Sequence, residues 1–491
     1  MTNFYGILET VFERYATNDC LRLEGGQVWL YCDLLERVQQ LSGVLVSQGV
    51  RTGDRVVVQV EKSPENLALY LATLRIGAVY VPLNTAYTIS ELEYFLVDAE
   101  PALFVGAQAL GDVRCLTLSA DGQGSLVDEM LANSVVVPEL CDRDDEDLAV
   151  IIYTSGTTGR SKGAMLSHGN LSFNAHALSE AWAWQPDDVL LHALPIFHAH
   201  GLFIACHCAL LNGTPMEFLA KFDVDRVQAS LPRCTVMMGV PTFYIRLLAQ
   251  PRFSEQDLSH IRIFLSGSAP LTEQVFKQWE AATGHRIVER YAMSETIVNT
   301  TNPVFGERIA ATVGFPLPGI SLRIADDQGQ ALPAGEVGMI EVAGPNVFGG
   351  YWRMPEKTKE EIRTGGFFIT GDLGTVDHEG RVSIVGRSKD LVISGGYNVY
   401  PKEVERLIDE MPEVEESAVI GVSHPDLGEA VIAVLVPKTA DVDIETVNAA
   451  LSGQLARFKQ PKKVINVKEL PRNTMGKVQK NLLRDQFSDL F

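Results

Sequence analysis

Short apolar runs rich in β-branched residues recur through the first two thirds of this chain, each closing on a small or turn residue. RVVVQV (55–60), LAVIIYTSG (148–156), TVMMGVP (235–241) and IRIFLSG (261–267) are the clearest. Stretches of helical periodicity lie between them, including SPENLALYLATLRIGA (63–78) and TEQVFKQWEAATG (272–284). Strand-length runs that alternate with helices commit a chain to an α/β fold, because parallel strands need crossover connections and helices supply them. At 491 residues the chain exceeds what one core builds, and ~150 residues per domain predicts two to four units.

The texture changes after about residue 310, where GISLRIADDQGQALPAGEVGMIEVAGP reads as short antiparallel strands joined by Gly, Asp and Pro turns. That stretch predicts a small β-barrel-like subdomain beside the parallel-rich sheets and their flanking helices. A second change falls in GRSKDLVISGGYNVYPKEVE (386–405), where a strand and a Gly-Gly turn lead into a helix. The boundary is placed near Lys389, giving a large domain over 1–388 and a small, mobile α+β domain over 389–491.

Composition narrows the function. Hydrophobic residues at 46% and charged residues at 21% exclude a disordered or fibrous chain. With 41 Lys+Arg against 62 Asp+Glu the net charge is −21, which argues against nucleic-acid binding but permits a local basic pocket for a phosphorylated ligand. Seven scattered cysteines, an odd number, point to a reducing compartment instead of a disulfide framework. Cys206-His207-Cys208 has metal-ligand spacing, yet its setting, GLFIACHCALL, reads as a buried helix. The start MTNFYGILETVFERYATND lacks a basic-then-apolar signal pattern, and no apolar stretch reaches the ~18 residues of a membrane span. A cytoplasmic protein without stable membrane insertion is expected.

The strongest local signal is Tyr153-Thr-Ser-Gly-Thr-Thr-Gly-Arg-Ser-Lys-Gly163, directly after a buried-strand pattern. Glycines let a backbone turn tightly and approach an anion, hydroxyls and amides donate to phosphate oxygens, and Arg160 and Lys162 neutralise charge. The spacing is not that of the common P-loop.

This loop resembles the phosphate loop of the adenylate-forming family of acyl-CoA synthetases, luciferases and adenylation domains. Further resemblances follow in chain order. Pro195-Ile-Phe-His198-Ala-His200-Gly201 is similar to the family's aromatic/His motif beside the acyl pocket, and Gly267-Ser268-Ala269-Pro270 to its adenine-lining turn. Tyr291-Ala-Met-Ser294-Glu295-Thr296 resembles its Tyr-Gly-x-Thr-Glu motif, with Ala292 where Gly is usual and Ser294 keeping the hydroxyl of Thr. Thr370-Gly371-Asp372 and Gly386-Arg387-Ser-Lys389-Asp390 resemble its ribose-binding and hinge motifs, and Pro471-Arg472-Asn-Thr-Met-Gly476-Lys477 its catalytic-lysine motif.

The resemblance implies a two-step reaction. A carboxylate attacks the α-phosphorus of MgATP to give acyl-AMP and pyrophosphate, and the CoA thiol then displaces AMP. It places Lys477, Ser294, Glu295 and His198 in the catalytic set. Around ATP it places Thr154, Ser155, Gly156, Thr157, Thr158, Gly159, Lys162, Ser268, Ala269 and Pro270. Glu295 is a hard oxygen ligand suited to Mg²⁺. Asp372, following a glycine at a turn, takes the ribose hydroxyls with Arg387, and Tyr291 offers its ring to the adenine. Between the steps the small domain swings about Lys389, with Gly395-Gly396 close to a pantetheine tunnel. Lys477 is also a candidate for a lysine-acylating regulator.

Within the family the resemblance is closest to malonyl-CoA synthetases. A second carboxylate needs a buried positive partner, and Arg246 and Arg290, with Ser268, match that need. Ala199 and Val298 stand where the malonate enzymes that this chain resembles often carry Thr and Met; the loss of bulk or polarity extends the expectation to a 2-substituted malonate such as methylmalonate. The alternative is an AMP-forming ligase for another short- or medium-chain acid. An ADP-forming kinase, a non-catalytic nucleotide-binding module and a carrier-protein loading enzyme are the rivals from other classes.

Overall fold

The computed structural model describes residues 3–110, 113–132, 136–154, 161–251, 253–473 and 476–491. Among them the strands form four sheets. Val56, Val57 and Val58, one of the predicted runs, form the middle of strand Arg55–Gln59 and are buried on both faces. Such a strand is stable only inside a covered parallel sheet. It pairs in parallel with Val79–Pro82 and Leu103–Gly106, and the sheet ends in the antiparallel hairpin of Leu148–Thr154 and Lys162–Ser167. Helix Pro64–Arg75 follows Arg55–Gln59; Ser63 caps it by accepting from the Asn66 amide, and every residue from Asn66 to Arg75 is buried. A helix apolar on all sides belongs in an interior.

The second and largest sheet positions the site. Its strands Val288–Met293, Ile263–Ser266, Val236–Gly239, Leu190–His192, Met216–Phe218 and Asp19–Leu23 run parallel in that spatial order. Antiparallel strands close its edges. The region after residue 310 forms an antiparallel sheet in the order Ser321–Ala325, Gly338–Ala343, Phe368–Val376, Val382–Arg387.

The C-terminal region has its own sheet, built on the long pair Val414–His424 and Gly428–Pro437, and its own apolar clusters. Gly395 and Gly396 form the two-residue turn between strands Val392–Ser394 and Tyr397–Val399. Their φ values of 60° and 83° match a hairpin turn that needs left-handed backbone at both central positions. The Cys-His-Cys run is buried, as its apolar setting predicts: a π-helix over His200–Cys206 continues as an α-helix over His207–Asn212. No helix among the described residues is long and apolar enough to cross a membrane.

Candidate active site

Four adjacent parallel strands of the large sheet deliver the motifs to one place. Leu190–His192 leads into the loop with His198 and His200, Val236–Gly239 into helix Pro241–Leu248, Ile263–Ser266 into Gly267-Ser268, and Val288–Met293 into Ser294-Glu295. Ligands of open α/β sheets bind beyond such carboxyl ends.

On the nucleotide side, Asp372 does not follow a turn, as the Gly-Asp pair suggests. It lies inside strand Phe368–Val376, directly across from Arg387. Arg387 Nε stands 2.7 Å from one Asp372 oxygen, and the Tyr291 hydroxyl donates to the other at 2.5 Å. Burial, then the Asp372 charge, push the Tyr291 phenol well above its ordinary pKa. Both Asp372 oxygens therefore sit among donors, aligned to receive paired hydroxyls.

A second cluster gathers around Lys162. Its Nζ lies 3.1 Å from Glu361 and 4.1 Å from the centre of the Tyr351 ring. The Tyr351 hydroxyl bridges Glu361 at 2.6 Å and Glu295 at 3.0 Å. Glu295 is 7% exposed, and burial raises its pKa above the ordinary carboxylate range. The backbone explains the arrangement. Segment 349–352 hydrogen-bonds along Lys162–Ser167 through Met165 N to the Gly350 carbonyl and Trp352 N to the Gly163 carbonyl, which brings Tyr351 beside the lysine. Two carboxylates within reach of one hydroxyl form a hard-oxygen environment suited to Mg²⁺.

The opposite wall is cationic and dry. Arg290 is 4% exposed, its Nη2 has no hydrogen-bond partner, and no carboxylate among the described residues pairs with it. Its guanidinium lies flat beneath Gly267, where a Cβ would stand 2.4 Å from Cζ, so the glycine is what admits the arginine. Burial lowers the Arg290 pKa to about 9, still cationic at neutral pH. Ser268 follows in left-handed backbone at φ 70° and lies 3.1 Å from His200 Nδ1. The His200 amide donates to His198 Nδ1 at 3.2 Å, which leaves the His198 proton on Nε2. Burial and then the Arg290 charge bring His198 down to about 4, so it is neutral at pH 7. Arg246 is exposed on helix Pro241–Leu248, one turn beyond Thr242 on the same face.

That helix meets the C-terminal region. Gly476 packs on Thr242, close enough that a Cβ would lie 3.1 Å from its Cγ2, and Arg484 pairs with Asp390 at 2.8 Å. Asn473 Oδ1 accepts from the Lys477 amide at 2.9 Å. Desolvation, then the charge of Arg387, lower the Lys477 ammonium to about 8, with Asp372 opposing. The Lys477 side chain, exposed at the surface, is thus within electrostatic reach of the Asp372–Arg387 pair.

The structure brings together Lys477, Glu295, Ser294, Lys162, Ser268, His198, Arg290, Asp372 and Arg387. Thr154 ends its strand, its hydroxyl 3.5 Å from the Lys162 carbonyl, and Ala269 and Pro270 follow Ser268 in the same turn. Ser155, Gly156, Thr157, Thr158, Gly159 and Arg160 lie outside the described residues. Tyr351 and Glu361 were not singled out from the sequence. Their nearness to Lys162 arises from pairing across almost two hundred residues, for which GGYW carries no local signal.

Residues 8–352 match the family model of AMP-binding enzymes, and residues 403–477 that of the AMP-binding enzyme C-terminal domain. A malonate–CoA ligase of Arabidopsis thaliana is 34% identical across 89% of this chain and 78% of its own length. A feruloyl-CoA synthase of Amycolatopsis sp is 36% identical, across 94% and 95%. The ATP-bound crystal structure of MatB from Rhodopseudomonas palustris is 52% identical over 99% of both chains, with a TM-score of 0.96. The apo form of that protein superposes less well, at 0.86. The arrangement of this chain is thus nearer to the nucleotide-bound relative.

Lys477 should titrate near pH 8, cationic below and neutral above, well under the ordinary lysine value of 10.5. Competitive acylation by a trace amine reagent, read by peptide mass spectrometry across pH 6–11, checks this (about two pH units separate it from exposed lysines). A Lys477 midpoint above 10 would refute the crowded cationic environment.

Proposed function

Because the chain belongs to the AMP-binding enzyme family, we propose that it is an ATP-dependent, AMP-forming acid–CoA ligase whose acid is malonate or a small 2-substituted malonate. The observation that carries the choice of acid is the buried, unpaired guanidinium of Arg290. An unpaired buried cation costs several kcal/mol and is sustained when a ligand supplies the anion. A feruloyl group has no second carboxylate to offer, so the likeness to a feruloyl-CoA synthase does not account for this charge. Arg246, expected as a buried partner, is instead exposed on its helix, so the clamp is assigned to Arg290.

Each side chain then has a task. Asp372 and Arg387 hold the ribose of ATP, Tyr291 packs on the adenine, and the Gly267–Pro270 turn lines it. Lys162 leaves Glu361 for the phosphates, with the 154–159 loop around them. Glu295 would hold Mg²⁺, which when bound neutralises phosphate charge and orients the nucleotide. Ser294 donates to the α-phosphate. Neutral His198 and His200 wall the acyl pocket without competing for the carboxylate. Lys477, cationic below pH 8, bridges the attacking carboxylate and the α-phosphate as charge develops there.

The Lys477–Arg387–Asp372 grouping and the greater likeness to an ATP-bound relative support an adenylating arrangement. For the second step the domain 389–491 rotates about Lys389 and withdraws Lys477, so that CoA reaches the acyl-AMP through a tunnel flanked by Gly395-Gly396. An enzyme that acylates Lys477 would then silence the first step alone.

Pyrophosphate release with ATP, Mg²⁺ and CoA, measured over acetate, butyrate, octanoate, ferulate, succinate, malonate and methylmalonate, should favour the two malonates. Preference for a monocarboxylate would keep the ligase and reject the clamp. Arg290→Met should raise the KM for malonate by about a hundredfold or more without lowering the thermal midpoint, because it replaces a buried unpaired charge by apolar volume. A lowered midpoint with unchanged KM would make Arg290 scaffold. Lys477→Ala should abolish acyl-AMP formation yet spare thioester formation from supplied acyl-AMP; equal loss in both half-reactions would reject its assigned role.

A further inference from the structure

Lys62 is 7% exposed and has no carboxylate partner among the described residues, an expensive place for an ammonium. It lies in the link between strand Arg55–Gln59 of the first sheet and Ser63, the cap of helix Pro64–Arg75. Its Nζ meets three acceptors, one for each N–H: Nδ1 of His192 at 2.7 Å, the His192 carbonyl at 2.8 Å and the Leu219 carbonyl at 2.6 Å. The Phe218 ring covers it, 4.1 Å away. His192 ends strand Leu190–His192, and Leu219 follows Met216–Phe218, so one ammonium joins the first sheet to two strands of the large one.

Two contacts together decide a tautomer. Burial lowers the Lys62 pKa to about 7, so its charge alone does not set the tautomer; the Gly201 carbonyl only accepts, so His192 Nε2 carries the proton, and bare Nδ1 accepts an N–H from Lys62. Burial, then the Lys62 charge, keep this ring neutral. Nε2 lies 2.8 Å from the Gly201 carbonyl, with Cys206 Sγ at 3.2 Å on the same π-helix. The bond therefore spans the base of the loop 193–200, which carries both His198 and His200. That loop folds back closely on its own end, since the Pro195 carbonyl lies only 2.1 Å from where a Cβ on residue 201 would stand. Neither Lys62 nor His192 has a task in the reaction described above.

We infer that Lys62 is a positioning residue of the acyl pocket: by holding His192 in its Nε2–H form it latches the His198–His200 loop shut at its base. The inference rests on the reading of that loop as the acyl-pocket wall. ATP is assigned chiefly to the other loops, with Ser268 beside His200 the point of contact, so the latch is expected to act mainly on the acid.

The first measurement needs no substrate. Nitrogen-15 spectra of histidine-labelled protein should show an imidazole with bare Nδ1 and a slowly exchanging Nε2–H, absent in His192→Gln and losing its single-tautomer signature in Lys62→Met. The second uses whichever acid the wild-type enzyme turns over best, so a failed malonate assignment appears in the wild type, and a failed latch only between variants. Lys62→Met should raise the KM for the acid at least about tenfold, given how steeply rates fall with ~1 Å misplacement, and leave the KM for ATP within about twofold. His192→Gln, which keeps an N–H to offer Gly201, should retain more acid affinity than His192→Leu, and this pair decides the matter if Lys62→Met does not fold. Parallel loss of acid and ATP affinity, an unchanged acid KM, or equal behaviour of Gln and Leu would each overturn the latch.

Discussion

The parallel pairing of Leu190–His192, Val236–Gly239, Ile263–Ser266 and Val288–Met293 is the constraint on which the site depends. Adjacent strands lie ~4.8 Å apart, so segments distant in sequence leave the sheet within one side chain's reach of each other. The crossovers that make the pairing parallel place every carboxyl end on the same edge. The His loop, helix Pro241–Leu248, the Gly267–Pro270 turn and the Ser294-Glu295 turn are therefore neighbours by topology, before any side-chain contact is made.

Electrostatics completes what topology begins. The chain carries a net charge of −21, yet Lys162 and Arg387 both act on Glu295, Lys477 feels Arg387, and Arg290 acts on His198. Three of these cations meet protein carboxylates or their field: Lys162 with Glu361, Arg387 with Asp372, and Lys477 in the field of that pair. Arg290 differs in being buried with no carboxylate partner among the described residues, and the contrast separates a wall whose charges are balanced within the protein from one whose cation is not. The dry wall around Arg290 also keeps His198 neutral, so the cationic character there comes from arginine alone.

Much of this was legible in the residues. The β-branched runs predicted parallel strands because only a doubly covered sheet buries such segments on both faces, and Arg55–Gln59 and Leu148–Thr154 follow them closely. Asp372 was misplaced locally: a Gly-Asp pair suggests a turn, and only the register against Arg387 reveals a strand. Tyr351, Glu361, Lys62 and His192 carried no pattern, since each acquires its meaning from a partner on another sheet or strand.

By itself, the sequence determined the α/β class, the change of texture near residue 310 and the family resemblance, because these rest on local periodicity and on residue types that few chemistries share. Only the tertiary structure decided which cation lacks an anion, which tautomer His192 holds and how the two sheets are joined. Charge compensation and hydrogen-bond direction depend on what lies within about 3 Å in space, and no spacing along the chain encodes that distance.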